Sequence, residues 1–444
     1  MTSPPTLASL MIEKKLSVGD HVHVVWKGLE MKGIMLPQPN PEASPFLSLK
    51  LSSGYNVGLA LQHVSEIKKL EGQHEAFRLN SAEDAHGSHV KALDKPGISL
   101  IRAGGTIGSK VDYATAGVSP LMTPNEMLAL IPEIGSFAHF DSITSPFSKL
   151  SENISHEDWI VLAKACFKEL QKDSVSGILL THGTDTLHYT SAALSYMIQD
   201  LNKPIVLVGS QRSSDRGSSD ANHNLICAAH MALSSVAEVG ICMHATTSDT
   251  DCFFLRGTKV RKLHTSRRDA FRPINDVPIA TVTTDGKIDF LSEYQKRDAS
   301  RKPVLNAVFN PNVALIKTFP GMAKEMITCY VEKGIEGLVI EGTGLGHVHS
   351  DWIPVIHSLT QRGVPVFITS QTVYGRVNLN VYSNGRLMQE AGAVGLEDMP
   401  SETAYVKLGW VLAQTRDLNE VRRRMLTPIS GDMAPSSRVD TFRY

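Results

Sequence analysis

Two short segments of this sequence combine glycine with hydroxyl or acidic side chains that could carry out chemistry. Residues 103–109 read Ala-Gly-Gly-Thr-Ile-Gly-Ser, and residues 181–186 read Thr-His-Gly-Thr-Asp-Thr. Each follows an apolar run, and ligands of open α/β sheets bind where such strands end. Glycines let a ligand approach the backbone and a threonine hydroxyl, which is a usable nucleophile once a nearby base activates it. The two segments therefore predict a site for nucleophilic catalysis.

Both segments also have structural interpretations that the sequence leaves open. A Gly-Gly-Thr sequence after a strand is an ordinary turn in most proteins. Thr184 or Asp185 could cap the helix predicted to follow, because both side chains accept hydrogen bonds from free backbone N–H groups. His182 could act as a general base, or it could be an oriented structural residue between a strand end and a glycine.

A third segment is basic, with seven lysine or arginine residues between positions 256 and 272. The commonest explanation is a solvated basic face, and a contact with RNA is the next. A third is that one lysine points inward, loses its proton in a desolvated site and becomes a base for a hydroxyl. Spacing alone does not identify that lysine.

Other motifs in the chain give weaker indications. The Gly-x-Gly-x-Gly of residues 342–346 lacks the G-x-G-x-x-G spacing of a dinucleotide loop, and residues 422–424 are three arginines typical of a solvated helix face. Five cysteines without a C-x-x-C pair predict reduced thiols, and 17 histidines include no H-E-x-x-H. We therefore expect no metal site.

The composition excludes several classes of protein. The 444 residues are 42% hydrophobic and 20% charged, which is ordinary for a globular protein and unlike collagen, a coiled coil or a disordered chain. Since 44 basic residues balance 45 acidic ones, no global field favours nucleic acid or an anionic membrane. No apolar run reaches the ~18 residues that a membrane span needs. We expect a cytoplasmic protein that has no membrane partner.

The elements that must position these residues fall into three blocks. Short alternating segments from about residue 18 to 61, separated by proline and glycine, predict a small antiparallel sheet or barrel. Beyond a polar linker, apolar runs alternate with helical patterns, which predicts βαβ units on a mostly parallel sheet. We expect three domains and one linker: a β-barrel module at 1–75, the linker at 76–96, a large α/β domain at 97–295 and a smaller α/β domain at 296–444.

The order of these motifs resembles the bacterial-type L-asparaginase family, a group of two-domain α/β amidohydrolases, over roughly residues 97 to 430. The motifs are the Ala-Gly-Gly-Thr of 103–106, Tyr113, the Ser-Glu-Asn of 151–153, the segment 181–186, and Lys262. The family usually has a threonine at the position of Ala103, and that threonine is not the attacking residue in the family.

The resemblance implies roles for eight residues. It implies that Thr106 is the nucleophile, and that Tyr113 lies on a mobile loop and binds substrate. Ser151 and Glu152 match positions that hold the α-carboxylate and α-amino groups in the family. The chemistry of the residues adds that backbone N–H groups near Gly105 or Thr184 would bind the oxyanion, and the sequence does not prove which of the two threonines attacks. A second catalytic cluster would contain Thr184, Asp185 and Lys262, with Lys262 taking a proton through Thr184. A homodimer that completes each site is also implied, and the hydrolase needs no cofactor.

The N-terminal 90 residues need a separate explanation, since plain asparaginases begin near the Gly-Gly-Thr strand. Residues 20–25, 33–37 and 54–58 resemble the D subunit of the archaeal glutamyl-tRNA(Gln) amidotransferases, as do 370–371, 375–383 and 407–412. This resemblance implies hydrolysis of glutamine or asparagine, and delivery of ammonia to the E subunit in a heterotetramer. The E subunit would use ATP and Mg²⁺ to amidate Glu-tRNA(Gln). The alternatives are a free-standing L-asparaginase with an accessory barrel, and a tRNA-binding scaffold with a vestigial hydrolase site.

Overall fold

A computed structural model describes residues 6–36, 41–42, 44–51, 56–70, 95–104, 110–112, 117–119, 131–212 and 219–442. Three of the predicted site residues, Gly105, Thr106 and Tyr113, lie outside the described residues. Among the described residues, no helix combines the length and apolar character needed to cross a lipid bilayer.

The N-terminal module is a five-stranded antiparallel sheet with one short helix. Buried and solvent-facing positions alternate along its first strand, as expected when one face of a sheet covers a core. Val22, Val24, Leu47 and Leu49 are fully buried in one apolar cluster that also includes Leu7 of the helix. The strand order is β4-β3-β2-β1-β5, with elements α1 Leu7–Lys14, β1 His21–Trp26, β2 Leu29–Met35, β3 Phe46–Leu51, β4 Asn56–Ala60 and β5 Val64–Lys69.

The next block is built on an eight-stranded sheet whose central strands are parallel. Those strands are continuous apolar runs because helices cover both faces of the sheet. The strands of the whole block are β6 Gly97–Arg102, β7 Lys110–Asp112, β8 Gly117–Ser119, β9 His139–Thr144, β10 Val175–Thr181, β11 Ile198–Gln199, β12 Ile205–Val208, β13 Val239–His244, β14 Cys252–Arg256, β15 Val260–Lys262, β16 Phe271–Pro273, β17 Ala280–Val282, β18 Ile288–Phe290 and β19 Val304–Leu305. Across the eight-stranded sheet, from one edge to the other, the strands lie in the order β18-β17-β14-β13-β12-β10-β6-β9.

Four helices accompany this sheet in the part of the chain that the structure describes, and the longest of them shows why the sequence forms a helix there. Ser155 caps its N-terminus, with Asp158 completing a reciprocal capping box. Trp159, Leu162 and Cys166 then recur at helical spacing and pack into the core. The helices are α2 Pro132–Phe137, α3 His156–Leu170, α4 Leu187–Met197 and α5 Ala221–Leu233.

The C-terminal block has a smaller parallel sheet of four strands, in chain order across the sheet. The elements are β20 Val313–Lys317, β21 Gly337–Gly342, β22 Val366–Ser370 and β23 Val394–Gly395, with α6 Glu325–Glu332, α7 Ile353–Gln361, α8 Ser383–Glu390, α9 Ser401–Leu412 and α10 Leu418–Leu426. Helix α9 is buried along almost its whole length and packs against α4 of the larger block.

The two α/β blocks share one apolar core. A single cluster contains Ile101 and Leu180 of the large sheet together with Val339, Phe367 and Trp410 of the smaller block. The predicted fold class, two α/β units after a small all-β module, is confirmed. The exact domain boundaries stay a prediction, and β19 already pairs with β11 across the expected division at residue 295.

A buried ion pair joins α9 to the C-terminal segment. The ammonium of Lys407 lies 2.7 Å from a carboxylate oxygen of Asp432, and both side chains are fully buried. Lys407 also donates to the carbonyls of Met425 and Thr427, and the Tyr196 hydroxyl donates to Asp432 at 2.8 Å. The charges are thus fully paired in a place that water does not reach.

Removing one partner of this pair should be strongly destabilising. Asp432→Ala leaves the Lys407 ammonium buried without its carboxylate, which costs on the order of 3–5 kcal/mol in the free energy of unfolding. Urea denaturation monitored by circular dichroism measures this loss. The matched control is Asp440→Ala, which removes an exposed partner of Arg438 and should leave the midpoint unchanged. Equal midpoints for the two variants would contradict the prediction.

Candidate active site

Three of the predicted catalytic residues meet at the carboxyl edge of the large sheet. Thr184 and Asp185 follow β10, and Lys262 ends β15. The Lys262 ammonium donates to Thr184 Oγ1 at 2.9 Å and to Asp185 Oδ1 at 2.7 Å. The Lys262 side chain is only 10% exposed, whereas that of Asp185 is 64% exposed. The ammonium is therefore sheltered beneath a hydroxyl and a carboxylate that face the surface.

The hairpin of β15 and β16 delivers Lys262 to this position. Lys262 pairs with Phe271 in the antiparallel register, so the hairpin fixes its backbone. Three residues earlier, the almost fully buried Lys259 binds Asp398 of the C-terminal block, with Nζ to Oδ2 at 2.7 Å and Nζ to the carbonyl at 3.0 Å. Sequence reasoning missed this anchor, since nothing local connects two residues so far apart in the chain.

The predicted substrate-binding segment packs directly on the Thr184 loop. Ser151 Oγ accepts a hydrogen bond from the Asp185 amide at 3.3 Å, and the Thr186 hydroxyl donates to the Ser151 carbonyl at 2.7 Å. A Cβ at Gly183 would lie 2.8 Å from Ser151 Cβ, so only glycine allows this close approach. Ser151 is buried, and Glu152 beside it is exposed.

Strand β6, which lies next to β10 in the sheet, comes shortly before the predicted nucleophile Thr106 in the sequence. Arg102 of β6 pairs with Thr181 of β10, so both strands end at the same edge of the sheet. Gly104 follows with a φ of 114°, and the backbone of Lys149 occupies the space that a Cβ would need. Gly104, two residues before Thr106 in the sequence, is thus a position that only glycine can occupy.

His182 is held by both of its ring nitrogens. Nδ1 lies 2.6 Å from the Gly183 carbonyl, so Nδ1–H must be the donor, and Nε2 then accepts from the Thr190 hydroxyl at 2.8 Å. Trp159 donates to the same hydroxyl at 3.1 Å. Burial lowers the pKa of His182 to about 4, so the ring is neutral at physiological pH. These contacts favour the structural interpretation of His182 over a general base.

The basic segment at 256–272 does not form a free basic face. Every one of its seven cations is paired with a carboxylate, and the run lies entirely within the described residues. Acidic residues from distant parts of the chain, together with Asp269 inside the segment, thus neutralise it, while the Arg267 side chain keeps 54% of its surface exposed. The pairs are Arg256 with Glu238 and Asp276, Lys259 with Asp398, Arg261 with Glu402, Lys262 with Asp185, Arg267 and Arg272 with Asp269, and Arg268 with Asp249.

Comparison with known proteins defines the class of the α/β part. Residues 97–296 match the family described as "Asparaginase, N-terminal", and residues 312–425 match "Glutaminase/Asparaginase C-terminal domain". The thermostable L-asparaginase from Thermococcus kodakarensis is 31% identical, covering 77% of this chain and 100% of that one, with a TM-score of 0.68. L-asparaginase I from Vibrio cholerae is 25% identical over 77% and 99%, with a TM-score of 0.67. The α/β part is an asparaginase-type amidohydrolase unit.

The remaining sequence makes the assignment more specific. Residues 16–70 match the family described as "GatD N-terminal domain". The D subunit of glutamyl-tRNA(Gln) amidotransferase from Thermococcus kodakarensis is 46% identical over 96% of this chain and 97% of its own, and that from Sulfolobus acidocaldarius is 43% identical over 94% and 92%. The chain belongs to the family of glutamyl-tRNA(Gln) amidotransferase D subunits. This confirms the resemblance and favours an amidotransferase component over a free-standing asparaginase.

The buried, neutral His182 should make stability depend on pH. Its ordinary pKa of 6.5 in the unfolded chain falls to about 4 in the fold, so only the unfolded state gains a proton between those values. The contribution of neutral His182 to the free energy of unfolding is complete above pH 6.5. It is lost as the pH falls toward 4, by about 3 kcal/mol in total. Urea midpoints across this range measure it.

His182→Gln should remove that part of the slope, whereas the control His357→Gln, at an exposed position on α7, should leave it unchanged. Burial also lowers the pKa of His188. Because His188 is present in both variants and in the wild-type chain, a difference in slope from the wild type reports the contribution of His182 alone. A wild-type slope retained in His182→Gln would show that His182 is protonated in the folded protein.

Proposed function

We propose that this chain hydrolyses the side-chain amide of glutamine or asparagine and supplies the ammonia to a partner protein that amidates Glu-tRNA(Gln). The observation that carries the proposal is the Lys262 ammonium bridging Thr184 and Asp185 at the strand edge, in a member of the family. The matched relatives are named as components of that amidotransferase, which supports the same role here.

The proposed reaction begins with attack by the Thr106 oxygen on the amide carbon. A neutral hydroxyl is a poor nucleophile, so Lys262 in its neutral form takes the proton by way of Thr184, and Asp185 keeps the amine in place. Backbone N–H groups near Gly105 or Thr184 stabilise the oxyanion. The tetrahedral intermediate then collapses as the amide nitrogen takes back the proton held by Lys262 and leaves as ammonia, so that an acyl-threonine ester remains. Water hydrolyses this ester, which releases the acid and restores the Thr106 hydroxyl. No cofactor takes part in these steps.

Substrate binding is proposed for the segment that packs against this cluster. The exposed Glu152 carboxylate carries the charge needed to bind an α-ammonium group, and the Ser151 turn is close enough to reach the α-carboxylate. Because Ser151 also accepts the Asp185 amide, its hydroxyl positions the catalytic loop. Tyr113 and Gly105 complete the proposed binding residues.

The proposed assembly follows the same family. Two copies of this chain form a homodimer that binds two copies of the E subunit, giving a heterotetramer in the cytoplasm. ATP and Mg²⁺ serve the reaction of the E subunit and not the hydrolysis. The N-terminal module has its own apolar cluster and lies apart from the catalytic residues in sequence, so its proposed role is docking to the E subunit or tRNA.

Removing the proposed nucleophile should abolish hydrolysis without unfolding the chain. Thr106→Val keeps the volume of the side chain and should lower kcat by about 10³-fold or more, measured as ammonia released from glutamine and from asparagine. Lys262→Met and Asp185→Asn should be nearly as damaging. Lys287→Met, which removes an exposed lysine far from the cluster in sequence, is the control and should retain full activity. A Thr106→Val variant within tenfold of wild type would exclude Thr106 as the nucleophile.

These losses should not add. When residues act as one catalytic unit, removing one of them already removes most of the effect of the others. Thr106→Val combined with Lys262→Met should therefore be about as slow as Thr106→Val alone. Kinetic assays of the double variant measure this coupling. Independent, multiplicative losses would place Lys262 in a different function from Thr106.

Deleting residues 1–90 should separate hydrolysis from transfer. We expect a homodimer that still binds and hydrolyses the amide, because the catalytic cluster and the shared core lie after residue 97. Formation of Gln-tRNA(Gln) with the E subunit, ATP and Glu-tRNA(Gln) should be lost. Light scattering and the two activity assays test this. A monomeric product would show that the N-terminal module builds the dimer, and full transfer would refute its docking role.

A further inference from the structure

A cluster of soft donor atoms lies in the large domain, apart from the residues used for hydrolysis. His223 and Cys227 stand four residues apart on α5, which places them on one face of the helix. Cys252 begins β14, which packs against that helix. One ring nitrogen of His223 and the sulfurs of Cys227 and Cys252 all lie within 4.8 Å of one another. All three residues are buried.

These donor atoms have few competing partners. Nε2 of His223 is buried without a hydrogen-bond partner among the described residues, and the residue is only 9% exposed. An unpaired buried polar group is costly unless something binds it. Cys227 donates to the Val282 carbonyl and Cys252 to Asn224 Oδ1, both at 3.4 Å. The other thiol contacts are with His223, between Cys227 and Cys252, and from Cys252 to Cys242.

We propose that His223, Cys227 and Cys252 bind a thiophilic divalent cation of the Zn²⁺ class. One imidazole nitrogen and two sulfurs are the donors that Zn²⁺ prefers, and sulfur–sulfur and sulfur–nitrogen separations below 4.8 Å need only a small contraction around an ion. Binding releases the two thiol protons, so two thiolates balance the charge of the cation. A water molecule is the fourth ligand of a tetrahedral site.

A second group of donors shares His223 but is less suited to a cation. His244 and Asp249 also lie within 4.8 Å of His223. However, His244 is already engaged at both nitrogens, with Asn224 Oδ1 at 2.5 Å and Asp249 Oδ1 at 3.0 Å, and Asp249 also pairs with Arg268 at 2.6 Å. Binding there would require breaking these contacts, so the thiol set is favoured.

The location suggests a structural role for the cation. It would join α5 to β14 beneath the same sheet that carries the catalytic cluster. The ring of His223 lies 4.6 Å from that of His244, and the contacts from His244 to Asp249 and from Asp249 to Arg268 continue to the hairpin that bears Lys262. A cation there would stiffen the end of the sheet, at His244 and Cys252, that the loop between β15 and β16 contacts through Arg268.

Metal titration of the full-length chain tests the proposal directly. The protein is reduced, stripped with a chelator and titrated with Zn²⁺ and with Co²⁺ in the absence of substrate. We expect one equivalent of Zn²⁺ per chain and, with Co²⁺, the thiolate charge-transfer band and intense visible bands of a tetrahedral site. Zn²⁺ should also raise the thermal midpoint.

Variants identify the ligands. Cys227→Ser, Cys252→Ser and His223→Gln should each weaken Zn²⁺ binding by more than the ~100-fold that follows loss of an outer hydrogen-bond partner. The control Cys166→Ser changes an equally buried cysteine in α3, and Asp249→Asn tests the second group; both should keep the thiolate band.

Several results would overturn the proposal. Absence of the thiolate band in the reduced wild-type chain would do so by itself, whatever the variants show. Loss of binding in Asp249→Asn with retention in Cys227→Ser would assign the cation to the other donors. Unchanged affinity in all three ligand variants would show that the bound metal lies elsewhere. Circular dichroism confirms that each variant compared is folded.

Discussion

The ion pair between Lys259 and Asp398 is the constraint on which the geometry of the site depends. Both side chains are almost entirely buried, and such a pair recovers the cost of desolvation only with good geometry and additional hydrogen bonds. Those bonds are present, since Lys259 also donates to the Asp398 carbonyl and Asn275 donates to the same oxygen. The pair fixes the hairpin to the C-terminal block three residues before Lys262. The position of the Lys262 ammonium thus depends on the packing of both α/β blocks.

Close backbone packing supplies the rest of the arrangement. The Ser151 turn touches the Thr184 loop at Gly183, and Thr184 Cγ2 would lie 2.8 Å from a Cβ at Gly209, which follows β12. Segments after different strands therefore interlock with little free space. A site packed in this way holds its hydroxyl, carboxylate and ammonium in place before substrate arrives, so little reorganisation is needed during the reaction.

The sequence predicted the buried parallel strands well and the edge structures poorly. The apolar runs at 177–180, 204–208 and 337–340 form β10, β12 and β21, and they are recognisable because a strand covered on both faces leaves an unbroken apolar signal. The short hairpin of β15 and β16 left no such signal, because charged residues interrupt it. Thr184, Asp185 and Lys262 were identified by the order of family motifs, and their contact depends on tertiary packing. His223, Cys227 and Cys252 went unnoticed because their spacing matches no metal-binding pattern.

The paired cations near the hairpin also bear on how the proposed complex would contact tRNA. A basic run attracts phosphates only if its charges are available, since affinity comes from replacing counterions on the nucleic acid. In the run at 256–272 each cation already has a carboxylate partner, and the side chains of Lys259 and Lys262 are themselves largely shielded from solvent. A phosphate would have to displace those carboxylates and disturb the hairpin. The buried charges of this run hold the hairpin in place and are not available to a phosphate.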